Sequence, residues 1–298
     1  MMENQQAPIE LIKGQIELYE MIADGKQLKD ILTALVLFIE SHTPGMICTI
    51  LLLDEEGKRM WTGAAPNFPA GLSAAIDGSE IGPNAGSCGT AAYRGENVFV
   101  ADIRTDPLWT DYKMVFLLHG LRACWSSPVF DEQHRVLGTF AMYFREPALP
   151  EKRDLDLIDI ATRIASASIR RKRSDQVLRR SQRQLSRIYE NVSESIFLLE
   201  VQSDSRFRFA SANKAFLSAN ELRIEQVIGK DVEKVLPPST HQLVLSKYRQ
   251  AIQEKRSIQW EQEVIQNGGK KTISVTVNPL FDESGVCTSL VGNVHDVV

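Results

Sequence analysis

Gly86-Ser87-Cys88-Gly89-Thr90-Ala91-Ala92 is followed downstream by Leu121-Arg122-Ala123-Cys124-Trp125-Ser126-Ser127-Pro128-Val129. In each stretch a cysteine stands among small or turn-forming residues. The first marks the expected start of a helix and the second the expected start of a strand. Two thiols so placed line a pocket when the elements meet. The chain has four cysteines, Cys48, Cys88, Cys124 and Cys287, with no Cys-x-x-Cys pair and no zinc-type spacing. Four free thiols in a reducing compartment are the expectation.

On the N-terminal side of this pair, Ile9, Ile12, Ile16 and Tyr19 recur at helical spacing. Leu28, Ile31, Leu32, Leu35, Val36 and Ile39 do so again after Ala23-Asp24-Gly25. Pro44-Gly45 ends the second helix. Met46 to Leu53 is an apolar run suited to a buried central strand, and Asp54-Glu55-Glu56-Gly57 turns it back through Lys58 to Gly63. A short helix is expected over Pro69 to Ile76 and a Gly/Pro/Asn-rich loop over Ile81 to Ser87. Cys88 to Arg94 reads as a helical turn and Asn97 to Ile103 as a strand. Trp109 to His119 reads as one amphipathic helix with Gly120 past its end. Strands at Ala123 to Phe130 and Val136 to Phe144 close a domain of residues 1–150, bounded by Pro147 to Pro150. One antiparallel sheet with flanking helices, an α+β arrangement, accounts for this order.

Glu151 to Asn191 contains neither Gly nor Pro, and residues 151–190 read as one long helix. Leu157, Ile164, Arg171, Leu178, Leu185 and Val192 stand at heptad spacing, with Ile160, Ala167, Ser174, Ser181 and Ile188 as companions. The seam, broken by Arg171, Ser174 and Asp175, predicts a homodimer whose register can shift. A connector helix packing on its own domains is the alternative. Arg170-Arg171-Lys172-Arg173, Arg179, Arg180, Arg183 and Arg187 have no aromatic interleaving, so they read as a solvated helix face rather than a nucleic-acid surface.

Residues 191–298 form the second domain. Strands are expected at Ile196 to Leu199 and Phe207 to Ala210, a helix from Ala212-Asn213-Lys214-Ala215-Phe216, and a turn ending at Leu236-Pro237-Pro238. A helix over Leu243 to Glu254 precedes Glu261 to Gln266 and Lys271 to Val277, which flank the hairpin signal Asn267-Gly268-Gly269. Ile273, Val275 and Val277 alternate with Thr272, Ser274 and Thr276, giving one buried and one polar sheet face. Val286 to Val294 is the last strand.

The cysteine-bearing segments and their order resemble a GAF domain, over Leu28 to Ile169. The Ser193-Glu194-Ser195-Ile196 start, Asn213-Lys214-Ala215-Phe216, Ile228-Gly229-Lys230 and the Gly292-Asn293-Val294-His295-Asp296-Val297 ending resemble a PAS domain. Together they imply two sensory domains, GAF-like then PAS-like, as in the sensory region of bacterial histidine kinases and cyclic-di-GMP enzymes. Such a module binds a small ligand or responds to redox state. It signals through a dimeric helix to an output domain, or to a partner kinase or cyclase. No GGDEF-type, EAL-type or kinase ATP-binding signature is present, and PAS domains usually pass a helix to an effector. The stop at Asp296-Val297-Val298 places any effector outside these residues.

Gly-x-Cys-Gly-Thr-Ala and the later Ala-Cys also resemble free methionine-(R)-sulfoxide reductases of the GAF fold. That resemblance implies Cys124 as the attacking and Cys88 as the resolving thiol. Trp125 stands where those enzymes carry Asp, and the third cysteine expected near Val98 is missing. A ligand-free dimerisation scaffold is a further alternative. Candidate ligand contacts are Trp61, Cys88, Trp109, Tyr112, Cys124, Trp125 and Ser126 in the first domain, and Asn213 and Trp260 in the second. Asp102, Asp106 and Asp111 read as caps. The segment from His241 to Arg249 is similar to the haem-ligating helix of oxygen-sensing PAS domains. His241 is therefore a haem-ligand option, although the distal arginine is missing. No cofactor or metal is otherwise expected. Bilin, cyclic-nucleotide and flavin motifs are absent.

The net charge of −4 argues against nucleic acid as the main partner. No apolar run approaches the roughly 20 residues of a membrane helix, and the N-terminus lacks a secretory basic flank. A cytoplasmic location is the expectation.

Overall fold

The structure, a computed structural model, describes residues 3–203, 206–266 and 269–297, and only the backbone of residues 3–8, 265, 266 and 269. The expected turn at Asn267-Gly268 lies outside the described residues, as do Met1, Met2 and Val298. The chain divides into two units, Met1–Val177 and Leu178–Val298.

The first unit opens with α1 (Glu3–Ala23) and α2 (Leu28–Glu40). The predicted face of α2 is the buried one, Ile31, Leu32, Leu35, Val36 and Ile39. α1 is the helix expected from Ile9, Ile12, Ile16 and Tyr19, but those side chains are exposed, and Leu18 and Ile22 are the buried ones. Gly14 explains the choice of face. A Cβ there would lie 2.0 Å from the Phe38 ring, so the missing side chain admits Phe38 and turns that side of α1 toward α2.

The sheet of this unit contains β1 (Ile47–Leu53), β2 (Arg59–Ala64), β3 (Ser79–Glu80), β4 (Val98–Val100), β5 (Ala123–Phe130) and β6 (Val136–Phe144). Their order is β3-β2-β1-β6-β5-β4, with antiparallel pairing throughout. The apolar run of β1 is central, and β5 and β6 are buried on both faces. On one face lie α1, α2 and the start of α6 (Lys152–Asn191). On the other lie α3 (Ala70–Ile76), α4 (Gly86–Arg94), a 3-10 turn at Pro107–Trp109 and α5 (Lys113–Leu118). The single helix expected over 109–119 is thus two pieces. Asp106 accepts from the Leu108 amide at 2.9 Å ahead of Pro107, and Thr110 Oγ1 donates back to the Pro107 carbonyl, which closes a short turn. Likewise the strand expected over 97–103 shortens to the edge strand β4.

The heptad seam of α6 is divided. Leu157 and Ile164 are buried in the core of their own unit with Ile158, Ala161, Ala165 and Ile169, so they are not free to form a dimer seam. Leu178 and Leu185 are 58% and 64% exposed.

The second unit holds β7 (Ser195–Val201), β8 (Phe207–Ala212), β9 (Ile258–Gln266), β10 (Gly269–Phe281) and β11 (Cys287–Asp296), ordered β8-β7-β11-β10-β9 and antiparallel. Between β8 and β9 come α7 (Lys214–Ala219), α8 (Ile224–Val227), α9 (Val232–Val235) and α10 (Pro238–Glu254). α10 begins five residues before the expected Leu243. Pro238 opens it, because a first-turn residue needs no amide partner. The polar face of β10 is less open than its alternation implies: Ser274 is buried and accepts from Gln259 Nε2 at 3.0 Å.

Candidate functional site

Gly86, with φ of +62°, turns the chain into α4 and sets Ser87 and Cys88 against the sheet. Ser87 Oγ donates to the Cys124 carbonyl at 3.0 Å and accepts from Trp109 Nε1 at 3.2 Å. Strand alternation in β5 then sends Cys124 and Ser126 toward α4. Trp125 goes to the opposite face, where it meets Phe144 at 4.2 Å and donates to the Ala148 carbonyl. Trp125 is therefore not a contact of this pocket. Neither is Trp61, which is half exposed and lies over Gly78.

What remains is a void of about 30 Å³ lined by Cys88, Trp109, Tyr112, Phe116 and Tyr143 among others. It has room for little more than a water molecule. Phe68, Phe116 and Tyr143 fill the rest, with ring centroids 4.9 to 6.1 Å apart. All four cysteines are free and buried, so the thiol pair lies in the core rather than at a pocket mouth.

Cys88 Sγ lies 3.5 Å from Tyr143 Oη. Hydrogen bonding from Cys124 is the largest influence on the Cys88 thiol. With Tyr143, Ser126 and Thr139 it outweighs burial and draws Cys88 down to about 7. Ser126 Oγ and Thr139 Oγ1 have no partner at ordinary bonding distance, so they act at longer range. Burial pushes Cys124 and Tyr143 up, and negative charge on Cys88 adds to both. Nearby, Arg122 and Arg104 hold Asp102 well below the usual carboxylate range, the Arg122 contact being 2.7 Å. That carboxylate is already engaged.

The second unit holds a much larger cavity, about 780 Å³, within the range typical of small-molecule sites. Phe197 of β7, Phe209 of β8, Phe216 of α7, Val244 and Tyr248 of α10 and Trp260 of β9 form its inner wall. Gly292 of β11 makes room for the Phe197 ring of this wall: a Cβ there would fall 2.0 Å from it. The charged lining residues Glu221, Glu263, Lys270 and Asp296 are all exposed, so charge is confined to the mouth.

Trp260 lines this cavity, with Nε1 donating to Gln262 Oε1 at 3.1 Å. Asn213 does not. Its Oδ1 accepts from the amides of Ile196 (2.9 Å) and Phe216 (3.0 Å). Its Nδ2 donates to the carbonyls of Tyr189 (3.2 Å) and Glu194 (2.8 Å). One fully buried side chain thereby ties the last turn of α6 to β7 and to the start of α7. His241 is also outside the lining, and its Nε2 sits 2.8 Å from the Leu236 carbonyl, which occupies the nitrogen a haem iron would need.

The sequence reading missed Phe197, Phe209, Phe216 and Tyr248 as a set. Their one signal was aromatic residues on strands and helices of the same domain, which reads equally as ordinary core. Among the described residues no cluster of His, Cys, Asp and Glu is arranged to hold a metal, and no helix is long and apolar enough to cross a membrane.

Family models agree with this architecture: the GAF domain matches residues 25–170 and the PAS fold residues 189–298. The chain carries a GAF domain followed by a PAS domain, joined by a long helix, as in the sensory regions of signal-transduction proteins. It is 30% identical over 272 residues to the methyl sulfide methyltransferase-associated sensor of Methanosarcina acetivorans. That match covers 91% of this chain and 26% of the relative, so the chain spans about a quarter of that sensor's length. Among solved structures, the GAF domain of an Acinetobacter phosphoenolpyruvate-protein phosphotransferase aligns at 16% identity and TM-score 0.45, covering 56% of this chain and 96% of that one. A PAS domain from Colwellia psychrerythraea aligns at 18% identity and TM-score 0.34, covering 39% and 96%.

Proposed function

We propose that this chain is a cytoplasmic sensory module in which a small molecule occupies the PAS cavity. Occupancy is passed to the long helix through Asn213, and from there to an output kinase, cyclase or other effector outside these residues. The observation that carries this reading is the position of Asn213. It bonds the Phe216 amide at the cavity wall and the Tyr189 carbonyl at the end of the helix. A ligand that shifts the Phe216 ring alters the cap, and the cap alters the helix end. Exposed Leu178 and Leu185 are the seam left for a homodimer. The chain acts without catalysis of its own. The void beside Cys88 is about 30 Å³, too small for methionine sulfoxide, and Cys124 is fully buried outside its lining.

Native mass spectrometry of the purified protein is the direct test, with a bound small molecule and a dimer as the expected species. A bare monomer at micromolar concentration, confirmed by sedimentation, would count against both the ligand and the dimer. Turnover of free methionine sulfoxide that is lost in Cys124→Ser would establish the reductase instead.

A second reading rests on the thiol pair. Cys88 borders the small void and its thiol is drawn down to about 7, so hydrogen peroxide is the size of oxidant that fits beside it. The thiolate would take one peroxide oxygen, giving a sulfenic acid and hydroxide, and Cys124 would then displace water to form a disulfide. Peroxide treatment followed by peptide mapping decides this: a Cys88–Cys124 crosslink supports it, and two unmodified thiols reject it.

A further inference from the structure

The deep part of the PAS cavity has rings and hydroxyls but no charge. Phe197, Phe209 and Phe216 stand 5.4 to 5.9 Å apart, centroid to centroid, and Tyr248 stands 6.2 Å edge-on from Trp260. The Trp260 indole N–H is already used by Gln262, so Trp260 offers its face and not a donor. The Tyr248 phenol differs. Tyr248 is only 2% exposed, lines the cavity and has no hydrogen-bond partner among the described residues. Burial alone acts on its phenol, pushing it up, which agrees with the missing partner. Ser195, also buried and in the lining, stands at the start of β7 with a hydroxyl that makes no hydrogen bond among the described residues. A hydroxyl that faces the cavity without a protein acceptor can donate to an acceptor on a ligand.

We infer that the cavity selects an uncharged, ring-bearing molecule whose carbonyl or ether oxygen accepts a hydrogen bond from Tyr248 Oη. This rests on the reading of the cavity as the ligand site. The aromatic walls supply edge and face contacts to a planar ring system. A charged ligand would give up its hydration inside without a counter-charge. The carboxylates and ammonium groups at the mouth do not change this. Glu263 pairs with Lys270 at 3.3 Å and Asp296 with Lys271 at 2.6 Å, while Glu221 is exposed and screened by solvent.

Equilibrium dialysis of the full chain tests the assignment with four probes built on one ring system: 2-acetylnaphthalene, naphthalene, 2-naphthoate and 2-naphthylmethylammonium. The ketone is expected to bind tightest. Tyr248→Phe is expected to weaken the ketone by about 3- to 10-fold, the worth of one neutral hydrogen bond, and to leave naphthalene unchanged. Val244→Phe, which adds a ring inside the cavity, is expected to remove binding of both. A charged probe binding more tightly than the ketone, or Tyr248→Phe acting equally on ketone and naphthalene, overturns the ligand class and leaves the cavity as the site. Failure of all four probes to bind, or binding that survives Val244→Phe, overturns the cavity reading as well. Thermal melts of both variants confirm that they fold.

Discussion

The two domains share a plan, an antiparallel sheet with helices over it, and differ in what fills the space between. In the GAF domain Trp109, Phe116 and Tyr143 close the space to about 30 Å³. In the PAS domain the corresponding volume is about 780 Å³. The difference lies in how the side chains stack. The GAF rings converge on one another beneath α4, with Trp109 meeting Phe116 at 4.7 Å. The PAS rings stand around a perimeter, with the Phe197 ring seated on Gly292. An aromatic-rich α+β layer is therefore either a solid core or a container, and among the described residues the PAS domain holds the container. The filled domain keeps polar chemistry of another kind, a Cys88 thiol 3.5 Å from the Tyr143 phenol with Cys124 buried in the same core.

The sharpest way to break this comparison is at Asn213. Asn213→Ala orphans two buried amides and two carbonyls, and is expected to destabilise the PAS domain by about 3–5 kcal/mol. Denaturant unfolding should show the PAS transition moving while the GAF transition stays. Equal movement of both would mean that the domains do not unfold separately. The long helix offers the next contrast. Ile164→Ala removes a core side chain and should cost the GAF domain about 2–4 kcal/mol. Leu185→Ala should change stability by less than about 0.5 kcal/mol yet weaken self-association in sedimentation.

Tyr248→Phe is expected to change the stability of the ligand-free PAS domain by less than about 0.5 kcal/mol, because the hydroxyl it deletes faces the cavity and not the packed core. A loss of more than about 1 kcal/mol in denaturant unfolding would show that the phenol is bonded when the cavity is empty. The smallest effect is that of pH on the GAF domain. The folded Cys88 value of about 7 lies below its ordinary 9.0. Its contribution is thus full above pH 9 and lost as pH falls through about 7. Cys124 and Tyr143, both pushed up, act above that window. Thiolate absorbance should therefore titrate near pH 7 in the wild type and be missing in Cys88→Ser.

Much of the fold is legible in the residues. The period of Ile31, Leu32, Leu35, Val36 and Ile39, the apolar run of β1 and the Gly- and Pro-free stretch of α6 each correspond to an observed element. The site was less so. Cys88, Trp109 and Tyr112 do meet, since α4 and the 3-10 turn both follow from local signals at Gly86 and Asp106-Pro107. Trp125 was misplaced although its strand was read correctly. Alternation says that neighbours face opposite ways, but not which layer lies on either side.

Local sequence settles local geometry, because helix and strand periods, caps and turns act over a few residues. From the residues alone came the α+β class, two domains and one connecting helix, and the resemblance to GAF and PAS domains added their sensory character. Tertiary packing decided the rest. It buried Leu157 and Ile164 and left Leu178 and Leu185 exposed on one heptad pattern. It made Asn213 a clamp rather than a contact, by bringing four backbone groups from three elements around one amide. It filled one pocket and left the other open. The physical reason is that cavity volume and bonding partners depend on where distant elements stop, which no sequence window contains.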